Sequence, residues 1–411
     1  MDSAAGNPPV IEQAIRIWRA GVDAVDGERA IRAALGESPG QRADAVLAVG
    51  KAASSMLAGA LPFLAPGARG LLVTKHGHVD ASLRRIPGIT VIESGHPVPD
   101  ENSLAAGDAA LGFIESCGRD SRLLVLVSGG ASALVEAPAP GIGLDRLRSL
   151  SRTLLADGYS IDQINHIRIG ISRIKGGRLL RRFPGREVQV LGISDIPGDH
   201  AELIGSGIGA VSPPEVAPFP VPGWIRELMR AARRDGAEHA REEFPYTFHS
   251  RLVGSNAMAR AAAAGACRDL GLAVADCAEC LDGDIGALAP ALARRIAEGG
   301  PGAYLWGGEP TVQLPGNPGL GGRNQSLALA LTLALDNGHC VHGVVAGTDG
   351  TDGPTEAAGG VVGPALDRDA GRESLAAANA GPWLDRHGRL FVTGPTGTNV
   401  MDLAVLIRDE A

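Results

Sequence analysis

Aromatic residues are scarce in this chain, 3% of its 411 positions, which leaves few rings for base stacking or for a carbohydrate platform. Positive charge is not in excess either. The formal net charge is -8, whereas a protein that grips a phosphate backbone is expected to carry a basic excess or stripe. Nucleic-acid binding is therefore disfavoured, and an anionic small molecule would have to be met by locally gathered cations. Long hydrophobic runs are missing too. The stretch Leu327 to Leu335 is roughly half of what a bilayer span requires, so no membrane role is indicated. The first residues, Met1 to Trp18, include Pro8, Pro9, Glu12 and Arg16 and no apolar core, so they are read as mature, cytoplasmic protein and not as a secretory signal. Five cysteines, an odd number in a long chain, fit a reducing compartment. Cys277 and Cys280 have C-x-x-C spacing, but with no second pair they read as ordinary thiols. His76, His78 and His96 lack the spacings of a zinc site; His96 is better placed as a residue lining a substrate cleft.

What is present is apolar mass and a regular alternation. Hydrophobic residues make up 45% of the chain, enough for two packed cores at this length. Short apolar stretches at Ala45 to Val49, Gly70 to Thr74, Ile89 to Glu93, Leu123 to Val127 and Val188 to Ile193 read as strands. Helical patterns lie between them, near Val10 to Leu35, from Lys51, near Asn102 to Cys117, at Leu144 to Asp157 and at Ile161 to Arg182. Such alternation predicts βαβ units around a largely parallel sheet. A Pro-rich loop, Val211 to Gly223, and a polar segment, Arg233 to Pro245, interrupt the pattern. It resumes with a helix at Ala257 to Leu270, a strand at Ala273 to Ala275, a helix at Ile285 to Glu298, a strand at Ala303 to Leu305, a β-hairpin through Val312, a helix at Gln325 to Asp336 and a strand at Cys340 to Ala346. The expected fold is α/β, two α/β domains with largely parallel sheets, residues 1–245 and 246–411.

Several strand ends carry chemistry. Gly50-Lys51 follows a strand and opens a helix, so Lys51 would stand beside outward-pointing amides that suit an anion; a plain surface lysine is the alternative. No Walker A pattern occurs in the chain. Ser128-Gly129-Gly130-Ala131-Ser132 follows another strand and can form a nest of N–H groups for phosphate or carboxylate, or simply a tight turn. It lacks the G-x-S-x-G spacing of a nucleophilic serine. Gly321-Gly322-Arg323-Asn324 precedes an apolar helix, and an arginine held by glycines there suits a carboxylate or a phosphoryl group in transfer. Lys175-Gly176-Gly177-Arg178 is similar but weaker, since charges on a helix face are usually solvated. Two acidic loops supply Asp195 and Asp199, and Asp349 and Asp352. Mg²⁺ takes one or two carboxylates with phosphate oxygens and water, so Asp195 and Asp349 are the candidate metal ligands. Either could instead accept the proton of a substrate hydroxyl, and Asp-Gly pairs often only make turns.

Taken together, Glu93 to Asp100, Ile174 to Leu179, Ser194 to Asp199, Gly321 to Gln325, Gly347 to Gly350 and Thr393-Gly394-Pro395-Thr396-Gly397-Thr398-Asn399 resemble, in this order, the glycerate 2-kinase family. Its members join an N-terminal, Rossmann-like glycerate kinase domain to a MOFRL-type C-terminal domain. The resemblance runs from about Ala45 to Leu403. It implies ATP-dependent phosphorylation of the 2-hydroxyl of D-glycerate or a closely related small hydroxy acid, with Mg²⁺, in an inter-domain active-site cleft between the two α/β domains, in carbohydrate metabolism, and admits a homodimer. Lys51 and Arg323 would be the prominent active-site charges, with Ser128, Gly129, Gly130, Ser132, His96, Lys175, Gly322, Asn324, Thr396, Gly397 and Asn399 binding substrate or phosphate. Members have also carried the label hydroxypyruvate reductase, but a nicotinamide enzyme should show G-x-G-x-x-G after an early strand. Gly205-Ser206-Gly207-Ile208-Gly209 is too late and wrongly spaced. A non-catalytic ligand-binding homologue is the other alternative. The chain departs from the family at Ile169 and Gly170, where polar side chains are usual, and at Ile208-Gly209. The resemblance then implies an acceptor pocket that is more apolar and has extra room beside Gly170.

Overall fold

A computed structural model describes residues 9–37, 42–156, 159–212, 219–236, 246–335, 340–364 and 366–409. The chain divides into two compact units, Gly27–Val253 and a second made of Gly254–Ala411 together with Met1–Asp26. The expected boundary near residue 245, most of the polar segment before it and residues 213–218 of the Pro-rich loop lie outside the described residues.

The chain opens with helix α1 (Pro9–Ala24), which belongs to the later unit: Ile11, Ile17, Trp18 and Val22 share a buried cluster with Cys267, Leu403 and Val405. The single helix expected over Val10 to Leu35 is thus two, broken at Val25-Asp26 before α2 (Gly27–Gly36).

In the unit of residues 27–253 the strands are β1 (Ala43–Val49), β2 (Leu64–Lys75), β3 (Ile89–Ser94), β4 (Arg122–Ser128), β5 (Glu187–Ile193) and β6 (Thr247–Gly254), in the order β3-β2-β1-β4-β5-β6. Every pairing from β3 through β5 is parallel. The apolar runs explain this: β1 and β4 are buried along nearly their whole length, as strands covered on both faces must be. Helices α3 (Ala53–Ala60), α4 (Glu101–Glu115), α5 (Ala131–Leu134), α6 (Leu144–Ala156), α7 (Ile161–Ile171) and α8 (Gly223–Gly236) complete the unit. The helix expected to run to Arg182 stops at Ile171, because Gly176 and Gly177 take positive φ and turn the chain. Strand order reverses direction at β1, with β2 and β3 on one side and β4 and β5 on the other. In α/β sheets that switch point, at the carboxyl ends of the strands, is where ligands bind.

The other unit holds α9 (Asn256–Asp269), β7 (Val274–Leu281), α10 (Ile285–Glu298), β8 (Gly302–Gly308), α11 (Arg323–Ala334), β9 (Val341–Gly347), β10 (Gly359–Val362), α12 (Arg368–Ala376), α13 (Ala380–Arg386), β11 (Leu390–Phe391) and β12 (Asp402–Arg408). Its sheet runs β11-β10-β9-β12-β8-β7. Parallel pairing is confined here to β7 and β8; β12 enters between β8 and β9 antiparallel to both, and β9, β10 and β11 are antiparallel in turn. The expectation of largely parallel strands therefore describes the first sheet, and the second is mixed. The hairpin expected through Val312 is not formed, since β8 already has a neighbour on each edge. The reversed β12 has a chemical consequence: its first residue, Asp402, is paired with Gly308 and Gly347, at the carboxyl ends of β8 and β9. Cys277 and Cys280, three residues apart on β7, point to opposite faces and are free thiols.

Candidate active site

At the switch point of the first sheet the turns after β1 and β4 are fastened together. The Lys51 N–H donates to the Gly129 carbonyl (2.9 Å) and the Ala52 N–H to Ser128 Oγ (3.0 Å). Gly50 has φ +131°, and a Cβ there would lie 2.2 Å from Ser128 Oγ, so only glycine permits this approach. Ser128 is wholly buried and its hydroxyl serves the β1 turn. Gly130, at φ +80°, brings the next residues to the same point: a Cβ on it would stand 3.0 Å from His96 Cδ2 and 3.1 Å from Lys51 Cγ. Lys51, His96 and Gly130 are thus neighbours. Asp195 emerges two residues beyond Ile193, which is paired with Ser128 on the adjacent strand. Lys51, the Ser128 to Gly130 turn and Asp195 therefore line one edge of one sheet.

Lys175 is placed otherwise than its motif predicts. It lies in a glycine turn, 1% exposed, with Nζ donating to Glu136 and to the Ser132 carbonyl (2.8 Å). Glu136 also accepts from Ser172 Oγ at 2.6 Å. Burial pushes the Lys175 pKa down, while the Glu136 charge opposes the shift. Close by, Arg168 Nη1 donates to Ser132 Oγ at 3.4 Å, and burial depresses its pKa in turn. Ser132 Oγ is 2.9 Å from Ser206 Oγ, which donates to Asn165 Oδ1 at 2.8 Å.

In the other unit the start of α11 is a carboxylate cage. Arg323 Nε and Nη2 meet the two Asp402 oxygens at 2.7 and 3.2 Å, and Nη1 meets Glu309 at 2.5 Å. Burial works to lower the Arg323 pKa, but the charges and hydrogen bonds of Asp402 and Glu309 outweigh it and hold the guanidinium firmly charged. Asp352 accepts from the N–H groups of Asn324 (3.0 Å) and Gln325 (2.8 Å). This is an N-terminal cap supplied from a distant loop. It leans on Gly322, where a Cβ would stand 2.2 Å from the Asp352 carboxyl carbon. Burial lifts the Asp352 pKa to about 6, against the two N–H donors. Asn324 is itself buried, its side chain donating to Asp402 at 2.9 Å. The Gly322 and Asn324 positions therefore build the Arg323 mount, with their helix end already occupied by Asp352. Asp349 Oδ1 accepts from the Thr351 N–H (2.9 Å) and Oγ1 (3.0 Å), shaping its loop. Thr348 Oγ1 donates to the Met401 carbonyl (2.6 Å), accepts from the Val400 N–H (2.8 Å), and its own carbonyl receives Thr396 Oγ1. Gly397, at φ +79°, and the buried Asn399 lie in that same stitched loop.

Among the described residues no three His, Cys, Asp or Glu side chains stand together to hold a metal ion. A magnesium ion that completes its shell with phosphate and water needs only one or two carboxylates, and the half-buried Asp195 and Asp349 each fit that part. The residues that sequence reasoning missed are the partners: Glu136, Arg168, Glu309 and Asp402. Glu309 could have been found, since Gly308-Glu309-Pro310 ends a strand.

Lysine and glycine turns at the strand ends of one α/β unit and, separately, an arginine among carboxylates in the other are side chains of the kind that small-molecule transferases use on anionic substrates. The family described as "Domain of unknown function (DUF4147)" matches residues 13–218, and the MOFRL family matches residues 302–402. A glycerate 2-kinase of Pyrococcus horikoshii is 35% identical over 88% of this chain and 86% of its own. A protein of Agrobacterium vitis with a provisional hydroxypyruvate reductase name is 33% identical over 95% of this chain and 93% of its own. The crystal structure of a glycerate kinase from Thermotoga maritima superposes with a TM-score of 0.80 at 31% identity, covering 97% of this chain and 99% of that one. The chain belongs to the glycerate 2-kinase family.

Proposed function

We infer that this protein is a phosphotransferase, a glycerate 2-kinase that passes a phosphoryl group from ATP to the 2-hydroxyl of D-glycerate, giving 2-phosphoglycerate. The observation that carries this reading is the likeness, over most of the chain, to proteins named as glycerate 2-kinases. The residues support it physically. Phosphoryl transfer needs positioning and charge neutralisation more than covalent chemistry. Lys51, fixed at the end of β1, neutralises a phosphate or carboxylate charge; the Ser128 to Gly130 turn shapes the floor beneath it. Arg323, held rigid by Asp402 and Glu309, faces charge that develops on the transferred group. Asp195 and Asp349, each at a strand end of its own unit, are the candidates for orienting the acceptor hydroxyl and for holding Mg²⁺, which would neutralise the nucleotide phosphates. No described helix is long and apolar enough to cross a membrane, in keeping with small dissolved substrates.

The reductase reading has no support in the switch-point turns. The turn after β1 reads Gly50-Lys51-Ala52-Ala53, without the glycine spacing that lets a dinucleotide pyrophosphate approach. Incubation with ATP, Mg²⁺ and D-glycerate, followed by phosphorus NMR, should show 2-phosphoglycerate. Oxidation of NADH or NADPH by hydroxypyruvate with no phosphoryl transfer would reverse the assignment, and silence in both assays would leave a binding protein.

A further inference from the structure

We propose that Arg168, seated against Ser132, binds the carboxylate of the hydroxy-acid acceptor; this rests on the kinase reading for the acceptor's identity and on geometry for the anion. Helix α7 places Asn165 and Arg168 three residues apart, on one face. Asn165 accepts from Ser206, Ser206 accepts from Ser132, and Ser132 then has a lone pair for Arg168. The chain of bonds fixes where the guanidinium points. Yet Ser132 takes only one of its donors, at 3.4 Å, and an arginine has five in a planar fork.

The charge balance points the same way. Around a cavity of about 20 Å³ stand Arg168, Lys175, Glu136, Ser132 and Ser151. Glu136 is already taken by Lys175 and Ser172. Two cations, the buried Lys175 and the partly buried Arg168, thus share one carboxylate, and a desolvated charge without its own partner is costly. A carboxylate at Arg168 would restore neutrality through a charge-assisted hydrogen bond. The cavity has room for one water-sized group, so one carboxylate oxygen can enter it. The nearby Glu136 charge also repels a phosphate dianion more than a carboxylate.

The test compares the full-length protein with Arg168→Gln and Arg168→Lys, using kinetics, and thermal shift with D-glycerate, inorganic phosphate and ATP separately. Arg168→Gln should raise the KM for D-glycerate about 10- to 100-fold, the loss expected for charge-assisted hydrogen bonds, with the KM for ATP within about twofold. D-glycerate should stabilise the wild type and not this variant. Arg168→Lys keeps the charge and loses the fork, so an intermediate KM is expected, and this variant stands in if the glutamine form does not fold. An unchanged D-glycerate KM overturns the proposal while leaving the kinase intact; loss of the phosphate or ATP response in place of the D-glycerate response overturns it too. Should the wild type fail to phosphorylate D-glycerate, the kinase reading falls and Arg168 is judged on binding alone. Stabilisation by D-glycerate that Arg168→Gln lacks then upholds the anion site, and its absence or equality in both proteins removes it.

Discussion

In the unit of residues 27–253 the strand ends are shaped by glycines, serine hydroxyls and main-chain donors, and around Arg168 cations exceed carboxylates. At the start of α11 the proportion is reversed: Asp402, Glu309 and Asp352 surround the single guanidinium of Arg323. A cation with donors to spare suits binding, because the incoming anion supplies the missing charge. One locked between carboxylates suits a fixed electrostatic field, since its geometry does not wait for the ligand. The same contrast separates two lysine and arginine motifs that look alike in the sequence. Lys175 and Arg323 both follow or precede glycine pairs, yet Lys175 is closed inside a buried pair while Arg323 keeps about a third of its side chain exposed.

The largest effects should come from breaking either cage. Arg323→Ala leaves Asp402 buried with its main countercharge gone, which costs about 3–5 kcal/mol of stability, and should lower kcat by about two to three orders of magnitude. Lys175→Met strands Glu136 and should cost a similar ~3–5 kcal/mol, but kcat of the folded fraction should stay within about tenfold of wild type. Urea unfolding and turnover at saturating substrates separate the two. A Lys175→Met protein that is stable and dead would return Lys175 to the ligand side. Next in size is the effect of Asp195→Asn and Asp349→Asn. Each should cripple turnover, and at least one should raise the Mg²⁺ concentration needed for half-maximal rate. If neither quantity moves in either variant, both loops are only turns.

How much was legible follows from where the information lies. The β1 and β4 switch point could be read because each partner is local: an apolar run, then Gly50-Lys51 or Ser128-Gly129-Gly130. The cage around Arg323 could not, because it is assembled by sheet order. Asp402 reaches Arg323 only since β12 runs antiparallel between β8 and β9, and nothing in the apolar stretch Leu403 to Ile407 declares its direction. Asp352 was visible as an acid in a loop, but not as the cap of a helix whose first residue lies far upstream. Lys175 misleads for a local reason: the helical periodicity of the sequence runs past Ile171 into Gly176 and Gly177, which adopt positive φ and turn the chain.

A smaller effect tests the carboxylate-rich side through pH. The folded-state pKa of Asp352 is raised to about 6, so the folded chain holds that proton more tightly than the unfolded chain does. Its contribution is greatest below the ordinary carboxylate range and is lost as pH rises towards 6. The stability of wild type relative to Asp352→Asn should therefore fall by about 1–3 kcal/mol between pH 4 and pH 7. A difference that grows over that interval would mean that the two N–H donors dominate burial.

The smallest expected effect concerns the acceptor. Extra room beside Gly170 is not what the structure holds: a Cβ there would lie 2.4 Å from Met229 Cε, on the face of α7 that packs against α8. Ile169 is likewise buried, and its carbonyl accepts from Arg178. Gly170 packs α7 against α8 and Ile169 is buried, so the departure from polar residues does not open room beside Gly170. Gly170→Ala would press on the flexible end of a methionine, at a cost offset by the roughly 1 kcal/mol that alanine gains over glycine within a helix. Stability should change by less than about 1 kcal/mol. The ratio of kcat/KM for D-glycerate to that for a bulkier 2-hydroxy acid should stay within about twofold, well below the 10- to 200-fold that a methylene's worth of pocket space can command. A tenfold or larger change in that ratio would put the α7 face beside the acceptor after all, and Arg168, on the same helix, would then select acceptors by size as well as by charge.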